Sequence, residues 1–419
     1  MIKHLVKIIY AQRKSNGWIF AELTIVVAAL WYMLDMLYVD MRTYYTPLGY
    51  DVTNTWRFKL NKLNPQSPAY VPDSLYSSNQ VEDLRQLMAQ IRRHPLVEEA
   101  CITYYSCPYS GGNSWMPISP VEGDTAVASG KNYQVRRVSP EYFGLFRVKD
   151  TEGKAIAPQL EGIPDAIVIT KDMERLFFHD LSGRGREALC YGEKMTIAAV
   201  SASIRDHEYR KSEPALYSIL VGEYLSGIVN AMGAENAELC VRMKQTLSQD
   251  GINSLLEEMG DQLTVNNLNV YGVRSIADFR ESRIRSFRTE SRDRLSLMAF
   301  LLINVFFGIV GTFWLRTQHR RGESGIRLAL GASSLTLKGY LYAEGLCLLA
   351  LTLPLPLLFA ANMISMEVPD LYRLPYTAGR FLITFGGAYL LMAGMICLGV
   401  RLPARKLLRL APAEALRHE

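Results

Sequence analysis

Sequence motifs for nucleotide binding and for hydrolytic catalysis are missing from this chain. It contains no G-x-x-x-x-G-K-[S/T] P-loop, no G-x-S-x-G nucleophile elbow and no H-E-x-x-H zinc motif. Its six histidines are scattered, and His207, between Asp206 and Glu208, is expected to be a surface residue. We therefore expect a polypeptide that is not an enzyme, with no catalytic, cofactor-binding or metal-binding residues of its own.

Cysteine is also scarce, and no C-x-x-C pair or zinc-type spacing occurs among the six cysteines. Cys347 and Cys397 lie in apolar segments and are expected to be packing residues. The remaining four are Cys101, Cys107, Cys190 and Cys240. In an oxidising space they permit three pairings, of which Cys101 with Cys107 would close a short loop. The sequence leaves open whether any disulfide forms.

Charge is nearly absent from four segments, which predict membrane spans. Residues 295–315, 345–366 and 381–400 carry no charged side chain. Each has roughly 20 residues and would reach about 30 Å as a helix, the thickness of the hydrocarbon layer. Pro354 and Pro356 should kink the third span.

The first of the four segments, residues 18–39, is interrupted by Glu22 and Asp35. A cleaved signal peptide is the alternative interpretation, because basic residues precede the segment. No good cleavage site follows it, which favours an uncleaved span. The two acids lie near opposite ends, so we expect both to reach the membrane interfaces rather than to be buried.

Basic residues flank the spans on one side, which predicts the orientation. They favour cytoplasmic termini, a cytoplasmic loop at 316–338 and a large domain on the opposite, external side of the membrane. The net charge of +5 therefore reflects topology and not nucleic-acid binding. The predicted segments are a cytoplasmic start at 1–17, spans at 18–39, 295–315, 339–366 and 381–400, an external domain with a stalk helix at 40–294, the loop at 316–338, an external loop at 367–380 and a cytoplasmic tail at 401–419.

Alternating and helical patterns predict the interior of the external domain. A helix at 79–94 and a strand at 97–105 form one α/β unit, and a second unit follows at 238–273. Between them lies an insert at about 133–221, with strands expected at 166–170, 194–203 and 215–221. The predicted fold class is an α+β membrane protein: four transmembrane helices, with a large external α/β plus β-rich domain inserted between helices 1 and 2.

Aromatic side chains in the external domain leave two interpretations open. Tyr104, Tyr105, Tyr109 and Trp115 could line a binding surface, but such residues more often belong to a core or a strand face. We expect the second role for most of them.

The connection from the external domain to the second span lacks helix breakers. No proline or glycine occurs from Ser275 to Phe307, which predicts a continuous helix able to carry movement across the membrane. Gly308 and Thr312 have small-xxx-small spacing, typical of close helix contacts either within a subunit or in a dimer.

The loop between the second and third spans carries the most specific pattern. Residues 316–332 read RTQHRRGESGIRLALGA. Residues 320–332 resemble the R-R-x-E-I-G-I-R-x-A-L-G-A segment of MacB/FtsX-type ABC transporter permease subunits. Glu344-Gly345 with the leucines that follow, Pro403-Ala-Arg-Lys406 and residues 412–417 (PAEALR) resemble three further motifs of this family, and residues 138–143 (VSPEYF) fit its periplasmic core domain.

The resemblance covers nearly the whole chain and implies a permease subunit without its own ATPase domain. It implies that a separate ABC ATPase subunit binds ATP and Mg and contacts the loop, and that a second permease chain completes a homo- or heterodimer. Ser324 stands where the family usually has isoleucine. The ATPase-coupling residues implied by the resemblance are Glu323, Gly325, Ile326, Arg327, Ala329, Leu330, Gly331 and Ala332.

The expected function is mechanotransmission for export or extraction of a lipoprotein, peptide or amphiphile, with the lipid bilayer and a periplasmic or outer-membrane protein as further partners. The alternative is an FtsX-like signalling protein that regulates an external cell-wall hydrolase and transports no solute.

Overall fold

The fold is described from a computed structural model, which covers residues 13–75, 78–112, 114–128, 131–179, 181–319 and 333–407. The chain divides into two compact units. The first, here called the helical unit, contains Met1–Tyr44 and Phe287–Glu419. The second, here called the β unit, contains Tyr45–Ser286.

Eleven helices and eleven strands are described and are numbered here along the chain. The helices are α1 (Arg13–Tyr44), α2 (Gln80–Arg92), α3 (Thr125–Ala128), α4 (Glu141–Leu145), α5 (Lys171–Phe178), α6 (Gly222–Met232), α7 (Gln249–Met259), α8 (Ile276–His319), α9 (Ser334–Leu351), α10 (Pro354–Ser365) and α11 (Ala378–Leu407). The strands are β1 (Thr55–Lys62), β2 (Val97–Tyr104), β3 (Ser114–Pro120), β4 (Asn132–Val138), β5 (Ala166–Thr170), β6 (Glu187–Cys190), β7 (Glu193–Ser201), β8 (Ala215–Ile219), β9 (Glu238–Met243), β10 (Thr264–Val265) and β11 (Leu268–Ser275).

One half of the β unit is an antiparallel sheet in the order β10-β11-β1-β9-β2. Helix α2 packs on it through the apolar face predicted from the sequence, and Leu84, Leu87 and Ile91 are fully buried. A capping box starts this helix: the Asn79 side chain accepts from the N–H of Glu82, whose carboxylate accepts from the N–H of Asn79. The predicted helix at 79–94 and the strands at 97–105 and 238–244 are confirmed within two residues at each end.

The other half of the β unit is a closed ring of six strands. The order β4-β3-β6-β7-β5-β8 is completed because β8 also pairs with β4, in parallel. Both faces of β5 are buried, as its uninterrupted apolar sequence AIVIT requires. The three strands predicted in the insert are present, but their closure into a ring was not predicted.

Within the described residues, four segments are long and apolar enough to cross a membrane, judged by length and composition. They are Gly17–Tyr44, Ile276–Thr312, Thr336–Ser365 and Ala378–Arg401. Their shared core includes Trp31 from α1, Ile309 from α8 and Met392 from α11.

The third of these segments is interrupted where the prolines predicted a kink. Helix α9 ends at Leu351, and α10 begins at Pro354. A proline in the first turn of a helix donates no backbone hydrogen bond and needs none there, so Pro354 favours a new start at this point. The segment therefore consists of two helices rather than one bent helix.

Helix α8 is the longest described element, with 44 residues. It starts directly after β11 in the β unit and continues into the helical unit. The continuous helix expected from Ser275 onward is therefore confirmed. Gly308 of this helix faces α1, because a Cβ atom at this position would lie 2.5 Å from Oε1 of Glu22. The close helix contact at Gly308 is thus made within one chain.

Candidate functional site

The predicted ATPase-coupling residues lie outside the described part of the chain. These are Glu323, Gly325, Ile326, Arg327, Ala329, Leu330, Gly331 and Ala332. On the two sides of this gap, α8 ends at His319 and α9 begins at Ser334. Ser333 caps α9, since its Oγ accepts a 3.2 Å hydrogen bond from the N–H of Thr336.

A buried ion pair joins α1 to α11 in the helical unit. Nε and Nη2 of Arg380 donate to Oδ1 and Oδ2 of Asp35 at 2.8 and 2.5 Å. The exposed fractions of the two residues are 1% and 0%. The expectation that Asp35 is not buried is therefore wrong, because this acid points into the bundle and pairs with an arginine there.

Further donors of Arg380 are also used. Its Nη1 donates to the carbonyl oxygens of Asp370 and Leu374 at 2.9 and 2.7 Å. The ring of Tyr376 lies 4.8 Å from the guanidinium carbon. A buried charge is tolerated when its hydrogen-bonding capacity is filled in this way. Arg380 consequently ties the connection between α10 and α11 to both α1 and α11.

A second charged cluster lies close to the end of α1. Asp40 accepts from Nη1 of Arg373 at 2.6 Å through one oxygen. Its other oxygen accepts from Nη1 of Arg294 at 2.8 Å and from Oγ of Ser291 at 2.7 Å. This carboxylate therefore links α1, α8 and the connection that precedes α11. We refer to Asp35, Asp40, Arg294, Arg373 and Arg380 together as the ionic clamp.

The ionic clamp joins α1 to α8, to α11 and to the connection that precedes α11 through charged hydrogen bonds. Fully paired charges in a low-dielectric site resist separation, because each partner would be left buried and uncompensated. The sequence contained a signal for it, namely acids near the end of one apolar segment and arginines just before another. The pairing itself was missed because Asp35 and Arg380 are separated by 345 positions.

The start of α8 is fixed within the β unit by a second set of ion pairs. Oε1 of Glu208 accepts from Nε of Arg280 at 2.5 Å and from the Tyr109 hydroxyl at 3.1 Å. Asp206 lies 3.4 Å from Nη2 of Arg136 and 3.9 Å from Nη2 of Arg283. Two arginines in the first turns of α8 therefore contact the loop between β7 and β8.

His207 lies in the same loop and is buried, with 4% of its surface exposed. Its prediction as a surface residue is wrong, because the neighbouring acids face arginines of other elements instead of water. Nδ1 of His207 accepts from the N–H of Tyr209 at 3.2 Å. Burial lowers the pKa of His207 below its usual value, and the charges of Asp206 and Glu208 oppose this.

The aromatic candidates divide into two groups. Tyr104 and Tyr109 are buried, as expected of core residues. Tyr105 and Trp115 are 45% and 48% exposed. The structure does not bring the four together on one surface that would mark a ligand site.

No family model matches this chain. No curated protein matches it either. Solved structures similar to it do exist. They include domains of MacB, of YknZ and of a putative permease protein.

Three of these structures illustrate the similarity. The periplasmic region of MacB from Actinobacillus actinomycetemcomitans is 10% identical, with a TM-score of 0.34 over 57% of this chain and 97% of that chain. The extracellular domain of the ABC-type transporter YknZ from Gram-positive bacteria is 15% identical, with a TM-score of 0.29 over 52% and 100%. A domain of a putative permease protein from Porphyromonas gingivalis is 14% identical, with a TM-score of 0.33 over 55% and 92%.

Proposed function

We propose that this chain is the permease subunit of a MacB/FtsX-type ABC transporter. In this proposal a separate ATPase subunit binds ATP and Mg, the chain transmits the resulting motion through the membrane, and its β unit acts in the periplasm. A second permease chain completes the complex. The cargo class is a lipoprotein, a peptide or another amphiphile that is exported or extracted.

Helix α8 is the observation that carries this proposal. One helix begins in the β unit, contains the apolar span and ends immediately before the RRGESGIRLALGA segment that resembles the family's ATPase-contacting motif. A helix without proline or glycine up to Phe307 lacks the residues at which helices usually kink. Displacement of its cytoplasmic end would therefore reach the β unit as tilt or translation.

The charged clusters supply the rest of the proposed transmission path. The ionic clamp holds α1 and α8 to the connection before α11, so these elements would move together. Arg280 and Arg283 contact the loop that carries Asp206 and Glu208. Motion of α8 would accordingly act on the ring of strands through β7 and β8, which flank that loop.

Copurification of the tagged chain from its native membrane in a gentle detergent tests the proposal. We expect an ABC ATPase in stoichiometric amount. The double variant Ile326→Asp/Leu330→Asp should lose it, because charges would replace the apolar face implied for the contact. Gln318→Asp, near the end of α8 and outside the coupling residues, is the matched control and should retain the ATPase.

A second variant separates assembly from motion. Gly331→Trp should leave the ATPase bound and active but abolish cargo movement, since a large side chain would alter the end of the coupling segment. Two results together would overturn the proposed mechanism. They are retention of the ATPase by the double aspartate variant and unchanged cargo movement in Gly331→Trp. Capture of a cell-wall hydrolase with no exported cargo would favour the FtsX-like signalling alternative.

A further inference from the structure

Three of the cysteines converge inside the β unit. Cys101 on β2 and Cys240 on β9 are directly opposite each other in the antiparallel register. Cys107 lies in the turn that follows β2. All three side chains are buried, with exposed fractions of 0%, 0% and 4% for Cys101, Cys240 and Cys107. They belong to one apolar cluster and are free thiols in this structure.

The strand register places Cys101 and Cys240 at a distance that suits a disulfide. Residues directly opposite in an antiparallel pair have Cα atoms about 4.5–5.5 Å apart. Disulfides join residues whose Cα atoms are about 4.4–6.8 Å apart. A bond between these two cysteines therefore requires no separation or sliding of β2 and β9.

A buried carboxylate brings the third cysteine to the same place. Oε2 of Glu238 on β9 accepts from the N–H groups of Ser106 and Cys107, each at 2.8 Å. It also accepts from the Thr103 hydroxyl at 2.8 Å. The turn after β2 is thus folded back against β9, two residues before Cys240, and Cys107 and Cys240 lie in the same buried apolar cluster.

Cys240 is the central member of the three. Hydrogen bonds from Cys101 and Cys107 lower the pKa of Cys240 below the usual thiol value. Burial raises the pKa of Cys101, and the hydrogen bond to Cys240 raises that of Cys107. The thiolate is the nucleophile in disulfide chemistry, so Cys240 is the member that reacts first.

We propose that the β unit is a disulfide site in which Cys240 bonds to either Cys101 or Cys107, while the third cysteine remains a thiol. In forming the bond, two thiols lose two protons and two electrons. A periplasmic dithiol–disulfide oxidoreductase accepts both and has its own disulfide reduced to a dithiol. The remaining thiol, as thiolate, attacks the adjacent sulfur of Cys240 and releases the other cysteine, so the two bonded forms interchange. This inference rests on the proposed periplasmic location of the β unit.

Differential alkylation of the full chain tests the site. Membranes from bacterial cells are denatured with N-ethylmaleimide present, then reduced, and the newly freed cysteines are labelled with iodoacetamide and identified by mass spectrometry. We expect Cys240 and one partner to be protected from the first reagent. Cys101→Ser should leave Cys240 bonded to Cys107, and Cys107→Ser should leave it bonded to Cys101.

Cys190 provides the matched control. It is also buried in the β unit but belongs to a different apolar cluster, so Cys190→Ser should leave the disulfide unchanged. Wild-type protein with all thiols free, or with a disulfide that lacks Cys240, would overturn the inference. Because Cys101→Ser and Cys107→Ser are tested separately, one of them still gives a result if the other fails to fold.

A second arm makes this outcome independent of the proposed location. The purified chain is reduced with dithiothreitol, freed of reductant and treated with oxidised glutathione, which should re-form the bond at Cys240; no bond there would refute the site. Ser254→Cys, on an exposed position of α7, reports the location through a membrane-impermeant maleimide in spheroplasts. Lack of labelling would show that the proposed orientation is wrong. The treatment with oxidised glutathione would still show whether the disulfide forms.

Discussion

Replacing Asp35 by leucine should strongly destabilise the helical unit. The change removes two hydrogen bonds to the charged Arg380, made at 2.8 and 2.5 Å. Each such bond contributes about 1.5–3 kcal/mol, so their loss corresponds to about 3–6 kcal/mol. Removing one partner of a buried ion pair typically costs about 3–5 kcal/mol. We therefore expect the free energy of unfolding to fall by about 3–5 kcal/mol.

The partner variant determines whether the loss comes from the unpaired charge. In Asp35→Leu/Arg380→Met both charges are absent and the space is filled by apolar side chains. Replacement of a complete buried pair in this way is often neutral or stabilising, so we expect stability within about 1 kcal/mol of wild type. Glu22→Leu, which removes a half-buried acid from the same helix, should lower the free energy of unfolding by less than about 1 kcal/mol.

The measurement is the unfolding of the purified full chain in mixed micelles, titrated with sodium dodecyl sulfate and followed by circular dichroism. Strictly additive losses in the double variant would refute the argument, because they would mean that Asp35 and Arg380 act independently. Equal losses for Asp35→Leu and Glu22→Leu would show that burial of the pair has no special effect.

Two further outcomes follow from close packing and from burial. A Cβ atom at Gly399 would lie 2.7 Å from Cγ2 of Ile309, whereas one at Gly394 would meet nothing within 4 Å. Gly399→Ala should therefore lower the free energy of unfolding by about 1–3 kcal/mol in the same titration. Gly394→Ala should be neutral or slightly stabilising. Because the pKa of His207 is lowered in the folded chain, the unfolded chain binds more protons than the folded chain just below pH 6.5. The free energy of unfolding is therefore retained above pH 6.5 and falls as the pH drops through this value. His207→Gln should reduce this loss in thermal unfolding measured between pH 7.5 and 5.5, and an unchanged pH dependence would contradict it.

Local patterns in the sequence predicted the elements of the fold well. The helical spacing that includes Leu84, Leu87 and Ile91 identified α2, and the absence of proline and glycine identified the continuous α8. Such signals depend on residues within a few positions of one another. They do not specify which strands pair across large separations, so the ring closed by β4 and β8 was not foreseen.

The pairing and burial of the charged clusters are the features that the sequence predicts least well. The cost of an unpaired acid in hydrocarbon favours an exposed position for Asp35, but the structure buries it against Arg380, which lies 345 positions away in the sequence. His207 was assigned to the surface because acids flank it. Glu208 instead pairs with Arg280, 72 positions away, and the loop is drawn inward.

The closed ring of strands has a consequence for the behaviour of the β unit in a crowded envelope. A ring has no terminal strand at which a foreign chain could add, so its backbone polar groups are already paired around the circle. The open end of the described sheet is β10-β11, where β10 has only two residues. Very short edge strands discourage continued pairing. The architecture therefore protects the ring half of the β unit from edge-to-edge aggregation.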